Sequence, residues 1–200
     1  MTDSLCAIPH AGRPGLLSAL AAFALASCGG AALAGALDGT LEVRSAYVDV
    51  DKGVFQLHAH IEYPVNAQIE KALEDGITLT FDLDVNVARE RRLWFDADVA
   101  NLQLQRELAY HTVSERFVVR DTKSGEQHSF PSLATALDYL GTVDGWPIVV
   151  EPQLNGASDY RVSVRAGIRR GHLPDTLRVL LFWTNDWRRT SGWYSWSLPR

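Results

Sequence analysis

Cysteine is nearly absent. The chain has 200 residues and only two cysteines, Cys6 and Cys28, and both precede residue 37. Whatever folds beyond that point therefore has no disulfide and no thiolate metal site, and must be held together by its core. Positive charge is also scarce. Lys and Arg number 19 against 24 Asp and Glu, for a net charge of −5. That balance argues against nucleic acid as a partner, because neutralising phosphates needs a basic surface. Catalytic signatures are missing as well. The chain contains no G-x-S-x-G, H-E-x-x-H or P-loop pattern, so no nucleophile, zinc-hydrolase or nucleotide site can be read from spacing. No cofactor is expected.

The apolar content of 46% is enough for one sizeable core. Residues 16–36 carry no charge, are rich in Ala, Leu and Gly, and follow Arg13. That is the grammar of an export leader. Three readings compete. Cleavage after Ala32-Leu33-Ala34 would release a soluble chain, whereas Leu25-Ala26-Ser27-Cys28 matches a lipoprotein box with Cys28 as the lipidated residue. An uncleaved leader would be a marginal anchor, since a spanning helix needs about 20 strongly apolar residues. All three place residues 37–200 outside the cytoplasm as one exported β-rich domain, periplasmic and possibly membrane-anchored or a lipoprotein.

Within that domain, alternation dominates. Thr40 to Val50 and Val54 to Tyr63 flank Asp51-Lys52-Gly53 and form a predicted hairpin. Asn66 and Gly76 bracket a short helix with Ile69, Ala72 and Leu73 on one side. Ile77, Leu79, Phe81, Leu83, Val85 and Val87 then occupy every second position, the pattern of a half-buried antiparallel strand. A second run, from Leu93 and Phe95 to Tyr110, breaks phase near Ala100-Asn101, where a bulge is expected. Residues 115–120 and 126–130 form another hairpin, and a helix opens at Pro131 or Ser132 and is closed by Gly141. Trp146-Pro147 reads as a loop. Tyr160 to Ile168 alternates cleanly, and Leu177–Trp183 reads as the last core strand. The expected fold is α+β, mainly β: an antiparallel β-sandwich-like domain with two short helices.

The order ALEDG, LTF, an Arg-rich patch and Trp94, then LAYHTVSERFVV, then the Phe130-Pro131 helix start, and finally FWTNDWRRTSGWYSW at 182–196 is informative. In this order and spacing the chain resembles a proteobacterial exported family known as domain of unknown function 4390, over about residues 37–199. The resemblance implies an export signal and no assigned activity. It also implies a genomic neighbour, a nitrogen-regulation-type sensor histidine kinase, which is association and not mechanism.

Three residue sets could carry function. His58, His60 and Glu62 share one strand face and could begin a zinc site, with His111 or His172 as candidates for a further imidazole. The bland alternative is a solvated strand face. Asp82, Asp84 and Asn86 resemble a calcium loop but lie inside an alternating strand, where oxygens cannot wrap an ion. Arg89, Arg91 and Arg92, with Arg161, Arg165 and Arg169, could bind a partner or could pair with that acidic row. Four of the six tryptophans fall in Trp183–Trp196. Trp183, Trp187, Arg188, Trp193 and Trp196 could form a recognition surface or could close the core. The leading expectation is a non-catalytic envelope domain binding a protein partner, a sensor histidine kinase being the one the resemblance suggests. A sugar or lipid binder using the aromatic tail is the second, and a metal-dependent hydrolase at His58 and His60 the third. Contact with a membrane is expected only through an uncleaved leader or a lipidated Cys28.

Overall fold

A computed structural model describes residues 37, 39–91, 95–156, 158–171 and 188–198. The first hairpin joins β1 (Glu42–Asp51) to β2 (Val54–Glu62). Its two-residue turn places Lys52 at φ 51° and Gly53 at φ 78°, a left-handed pair that matches the twist of the flanking strands. Helix α1 (Ala67–Glu74) begins where the Asn66 side chain accepts a hydrogen bond from the Ile69 amide at 2.8 Å. It buries Ile69, Ala72 and Leu73. Gly76 follows at φ +84°.

Strand β3 (Leu79–Arg89) pairs along its whole length with both neighbours, β4 (Ala97–His111) and β8 (Tyr160–Arg170). Because the β8 ladder keeps one register throughout and the β4 ladder keeps it as far as Val87, the inward row of Leu79, Phe81, Leu83, Val85 and Val87 is buried throughout. Opposite β3, the pairing steps from Ala100 to Asp98. The bulge thus sits at Val99, beside the expected phase break. Phe95, expected inside the strand, lies outside it and is 87% exposed. The hairpin of β5 (Arg116–Asp121) and β6 (Gln127–Phe130) extends this sheet.

Helix α2 (Leu133–Gly141) starts at Ser132, whose hydroxyl accepts from the Thr135 amide at 3.3 Å. The chain then enters β7 (Thr142–Val150), which pairs with β2. The stretch around Trp146-Pro147 is therefore an edge strand and not a loop. Proline is compatible with it because β7 is the outer strand of its sheet and its register slips beside Pro147. A 3-10 turn at Glu151–Gln153 leads on to β8. The expected strand Leu177–Trp183 lies outside the described residues.

Two antiparallel sheets result, β1-β2-β7 and the seven-stranded β10-β8-β3-β4-β5-β6 with β9 also on β8. Their facing rows, including Leu57 and Ile61 on one side and Val85, Val162 and Val164 on the other, form a single core cluster. Strands β9 (Arg188–Thr190) and β10 (Tyr194–Ser197) lie end to end along the free edge of β8. Ser191 joins them: its amide donates to Ala166 O at 2.8 Å and its Oγ accepts from the Ala166 amide at 3.0 Å. That edge is thereby closed by hydrogen bonds over most of its length. Among the described residues no helix is long and apolar enough to cross a membrane.

Candidate functional site

Period-two alternation gives the seven-stranded sheet a second, outward face. Asp82, Asp84 and Asn86 come from β3, Asn101 and Gln103 from β4, and Arg161, Ser163 and Arg165 from β8. The acids do not stand alone. Arg169 Nε lies 2.8 Å from Asp82 Oδ2, Arg165 Nη2 lies 2.9 Å from Asp84 Oδ2, and Arg161 reaches Glu90 at 2.6 Å and Asp96 at 3.6 Å. The electrostatic complement of the acidic row is therefore β8. Arg89, the last residue of β3, and Arg91 just beyond it do not pair with Asp82 or Asp84. The Arg91 amide donates to Asp96 Oδ1 at 3.3 Å. Arg92 lies outside the described residues.

Neutral groups occupy the middle of this face and lock one another. Asn86 Nδ2 donates to Asn101 Oδ1 at 2.6 Å and to Asp98 Oδ1 at 2.9 Å. Gln103 Nε2 donates to Asp84 Oδ1 at 2.8 Å, and the Ser163 and Ser195 hydroxyls are 2.8 Å apart. Over them stands Trp193, 51% exposed, with the Arg165 guanidinium 4.5 Å from its ring centroid. A groove of about 600 Å³ lined by Asn86, Asn101, Arg161, Ser163, Trp193 and Ser195 runs across the strands. It adjoins a second hollow of about 340 Å³ against Asp84, Gln103 and Arg165. Volumes of this size are typical of small-ligand sites.

The tryptophans of the tail are divided by strand parity. Trp196 lies opposite Val162, an inward residue, and packs on the core. Ser195 lies opposite Ser163, an outward one, and Trp193 shares that outward side with Arg165. Core closure and surface display thus both occur, three residues apart. Arg188 is exposed at the start of β9. Trp183 and Trp187 lie outside the described residues.

The histidine set takes a different form. On the outer face of the three-stranded sheet, His58 Nδ1 is 2.5 Å from Asp144 Oδ1 on β7. Its Nε2 faces Asp49 Oδ1 on β1 at 3.3 Å, off the line of a hydrogen bond. Tyr47 stacks on the ring at 4.8 Å. The two nitrogens thus address carboxylates on opposite neighbours, and Glu62 is taken by Arg44. His60 lies between Ser45 and Thr142 in register. His111 belongs to the other sheet, where its Nδ1 is 3.2 Å from Ser114 Oγ, and His172 lies outside the described residues. Among the described residues, no group of three or more His, Cys, Asp or Glu side chains is placed to hold a metal ion.

A third feature is a smaller cavity of about 270 Å³ lined by Phe55, Leu154, Tyr160 and Leu198. Here the Tyr160 hydroxyl accepts from the Asn155 amide at 2.6 Å.

Of the amides and serines of the outward groove, sequence singled out only Asn86, and only as part of a calcium-loop likeness. They come from four separate strands and meet only through register. The available signal was composition: uncharged Asn, Gln and Ser at outward positions where a merely solvated face favours Lys and Glu.

No curated protein and no solved structure matches the chain. A family profile does match, over residues 38–197, which is nearly the whole described region. The chain belongs to the family described as domain of unknown function (DUF4390).

Proposed function

We propose that this protein is an exported, non-catalytic recognition domain whose ligand binds on the outward face of the seven-stranded sheet, over Trp193. Trp193 carries the reading. A half-exposed indole fixed by a guanidinium at 4.5 Å, beside a groove of about 600 Å³, is a poor use of apolar surface unless something covers it. The lining supports holding over reacting. Its two hydroxyls bond to each other and its arginines are matched to carboxylates. The charge-free leader supports export.

Ser195, at the groove, is the position that tests this. A photo-crosslinking residue placed there in living cells is expected to give discrete adducts, and the same residue at Tyr47 on the opposite sheet is not. Adduct chemistry would also separate a small ligand from an envelope protein such as the sensor of a histidine kinase. Equal labelling at both positions, or none at Ser195, would sink the reading.

A further inference from the structure

We infer that the ligand of this face is a neutral saccharide chain, an assignment that rests on the recognition surface proposed above and narrows it. The argument begins with charge. The groove and its rim hold Arg161 and Arg165 against Asp84, Glu90, Asp96 and Asp98. Each guanidinium there faces a carboxylate, with Arg165 Nε left over but buried away from the groove's solvent, and the balance is acidic. A phosphate, a sulfated glycan or an anionic lipid headgroup would meet no unmatched cation and several carboxylates.

The neutral groups then define what does fit. A sugar hydroxyl both donates and accepts, and so do the amide and hydroxyl side chains of Asn86, Asn101, Gln103, Ser163 and Ser195. These are held in place before any ligand arrives. Asn86 commits both amide hydrogens, to Asn101 and Asp98, which leaves its carbonyl oxygen to accept. Gln103 is pinned through one amide hydrogen to Asp84. Side chains already ordered by such bonds lose little rotamer freedom on binding, which is what recognition of a weakly interacting polyol requires.

Trp193 supplies the other half. The face of an indole is electron-rich, and the slightly positive C–H side of a pyranose ring is its complement. Arg165 takes a place over the ring and holds it steady, and half of the residue's surface stays open. The groove spans β4, β3, β8 and β10, which is three inter-strand spacings or about 14 Å. That length suits a short oligosaccharide segment laid across the strands better than a single ring.

The test is an array of immobilised neutral and anionic glycans, with phosphatidylglycerol vesicles as a separate arm. The purified protein as the cell produces it is compared with Trp193→Ala, Asn101→Ala and, as a control on the other sheet, Tyr47→Ala, all checked for an unchanged unfolding transition. The expected result is retention on neutral glycans that survives added salt. It should be weakened about tenfold by Trp193→Ala and by Asn101→Ala, and be unaffected by Tyr47→Ala. Having two groove variants keeps the test decisive if one of them misfolds. Retention only on anionic glycans or vesicles, or on no glycan at all, overturns the assignment. Protein adducts at Ser195 alongside a blank neutral array would end the saccharide assignment and leave the recognition surface standing. Absence of any Ser195 adduct would end both.

Discussion

Replacing Gly141 by alanine should destabilise the domain, although the usual expectation has the opposite sign. Gly141 is the last residue of α2, it is buried, and its φ is not in the left-handed region. By propensity alone, alanine at a helical site is favoured over glycine by about 1 kcal/mol. Here, however, a Cβ would come closer than 3.0 Å to the Ile61 carbonyl oxygen and within 3.4 Å of its carbon. The obstacle is the backbone of β2, the central strand of its sheet, held by ladders to β1 and β7. It cannot swing aside as a side chain would. Overpacking costs about 1–3 kcal/mol, and a backbone obstacle belongs at the upper end. The net loss is then about 2 kcal/mol, or roughly 4–8 °C in Tm for a domain of this size. Urea denaturation should show a lower midpoint at an unchanged slope. Gly192→Ala is the control, because nothing lies within 4 Å of a Cβ there; it should stay within about 0.5 kcal/mol of the parent. A Gly141→Ala protein as stable as the parent would refute the claim that glycine is needed for this helix to touch β2.

Three further outcomes follow from the same contacts. Burial works against the charged form of Asp121, but the Ser124 and Lys123 amides, the Ser124 side chain and the charge of Arg106 together outweigh it and hold its carboxyl below the ordinary value of 3.8. Its contribution is therefore present above about pH 4 and lost as pH falls through the folded value. Asp121→Ala should cost roughly 1 kcal/mol at neutral pH, with the gap to the parent starting to close only once the pH falls below the ordinary value of 3.8; a gap that closes already well above that pH, or that widens in acid, would contradict the sign. Trp193→Ala should change thermal stability by less than about 1 kcal/mol, whereas Trp196→Ala should cost about 3 kcal/mol because that ring packs on the core. Equal losses would refute the inward–outward division. A double-mutant cycle of Arg165→Met with Trp193→Ala should return a coupling of about 0.5–1 kcal/mol, and a value of zero would mean that the guanidinium does not steady the ring.

Much of the scaffold was legible because its strongest signal is local. β3 and β8 each bury one unbroken row, so their existence and antiparallel nature follow from period two, although each runs two residues past the expected end and β3 begins at Leu79 and not Ile77. Asn66 and Ser132 cap their helices as their types suggest. The failures share a cause, which is contact between residues distant in sequence. The Trp146-Pro147 part of β7 looked like a loop because proline cannot donate to a ladder, and only its position as an edge strand beside β2 makes proline acceptable. Gly141 does close α2 as expected, but the reason glycine is required there is Ile61, eighty residues earlier. Phe95 extended an alternating pattern past the point where β3 could pair with it.

The site divides in the same way. The arginines of β8 and acids of β3 could be expected to pair, and they do. The tail could be flagged as aromatic, yet parity alone decides that Trp196 faces in and Ser195 out, and parity depends on which β8 residue each one opposes. Asn86, Asn101, Ser163 and Ser195 are unremarkable one at a time. Their meaning comes from meeting under Trp193.

The location of binding is the central claim, and a backbone amide chemical-shift map of the isotope-labelled domain tests it most directly. Titrated with the glycan the array selects, or with the partner trapped at Ser195, the domain should show its largest shifts at Asn86, Asn101, Ser163 and Ser195 and at the Trp193 indole N–H. The three-stranded sheet should stay silent. Shifts concentrated instead around His58 and Tyr47, or in the cavity between Phe55 and Leu198, would contradict the account.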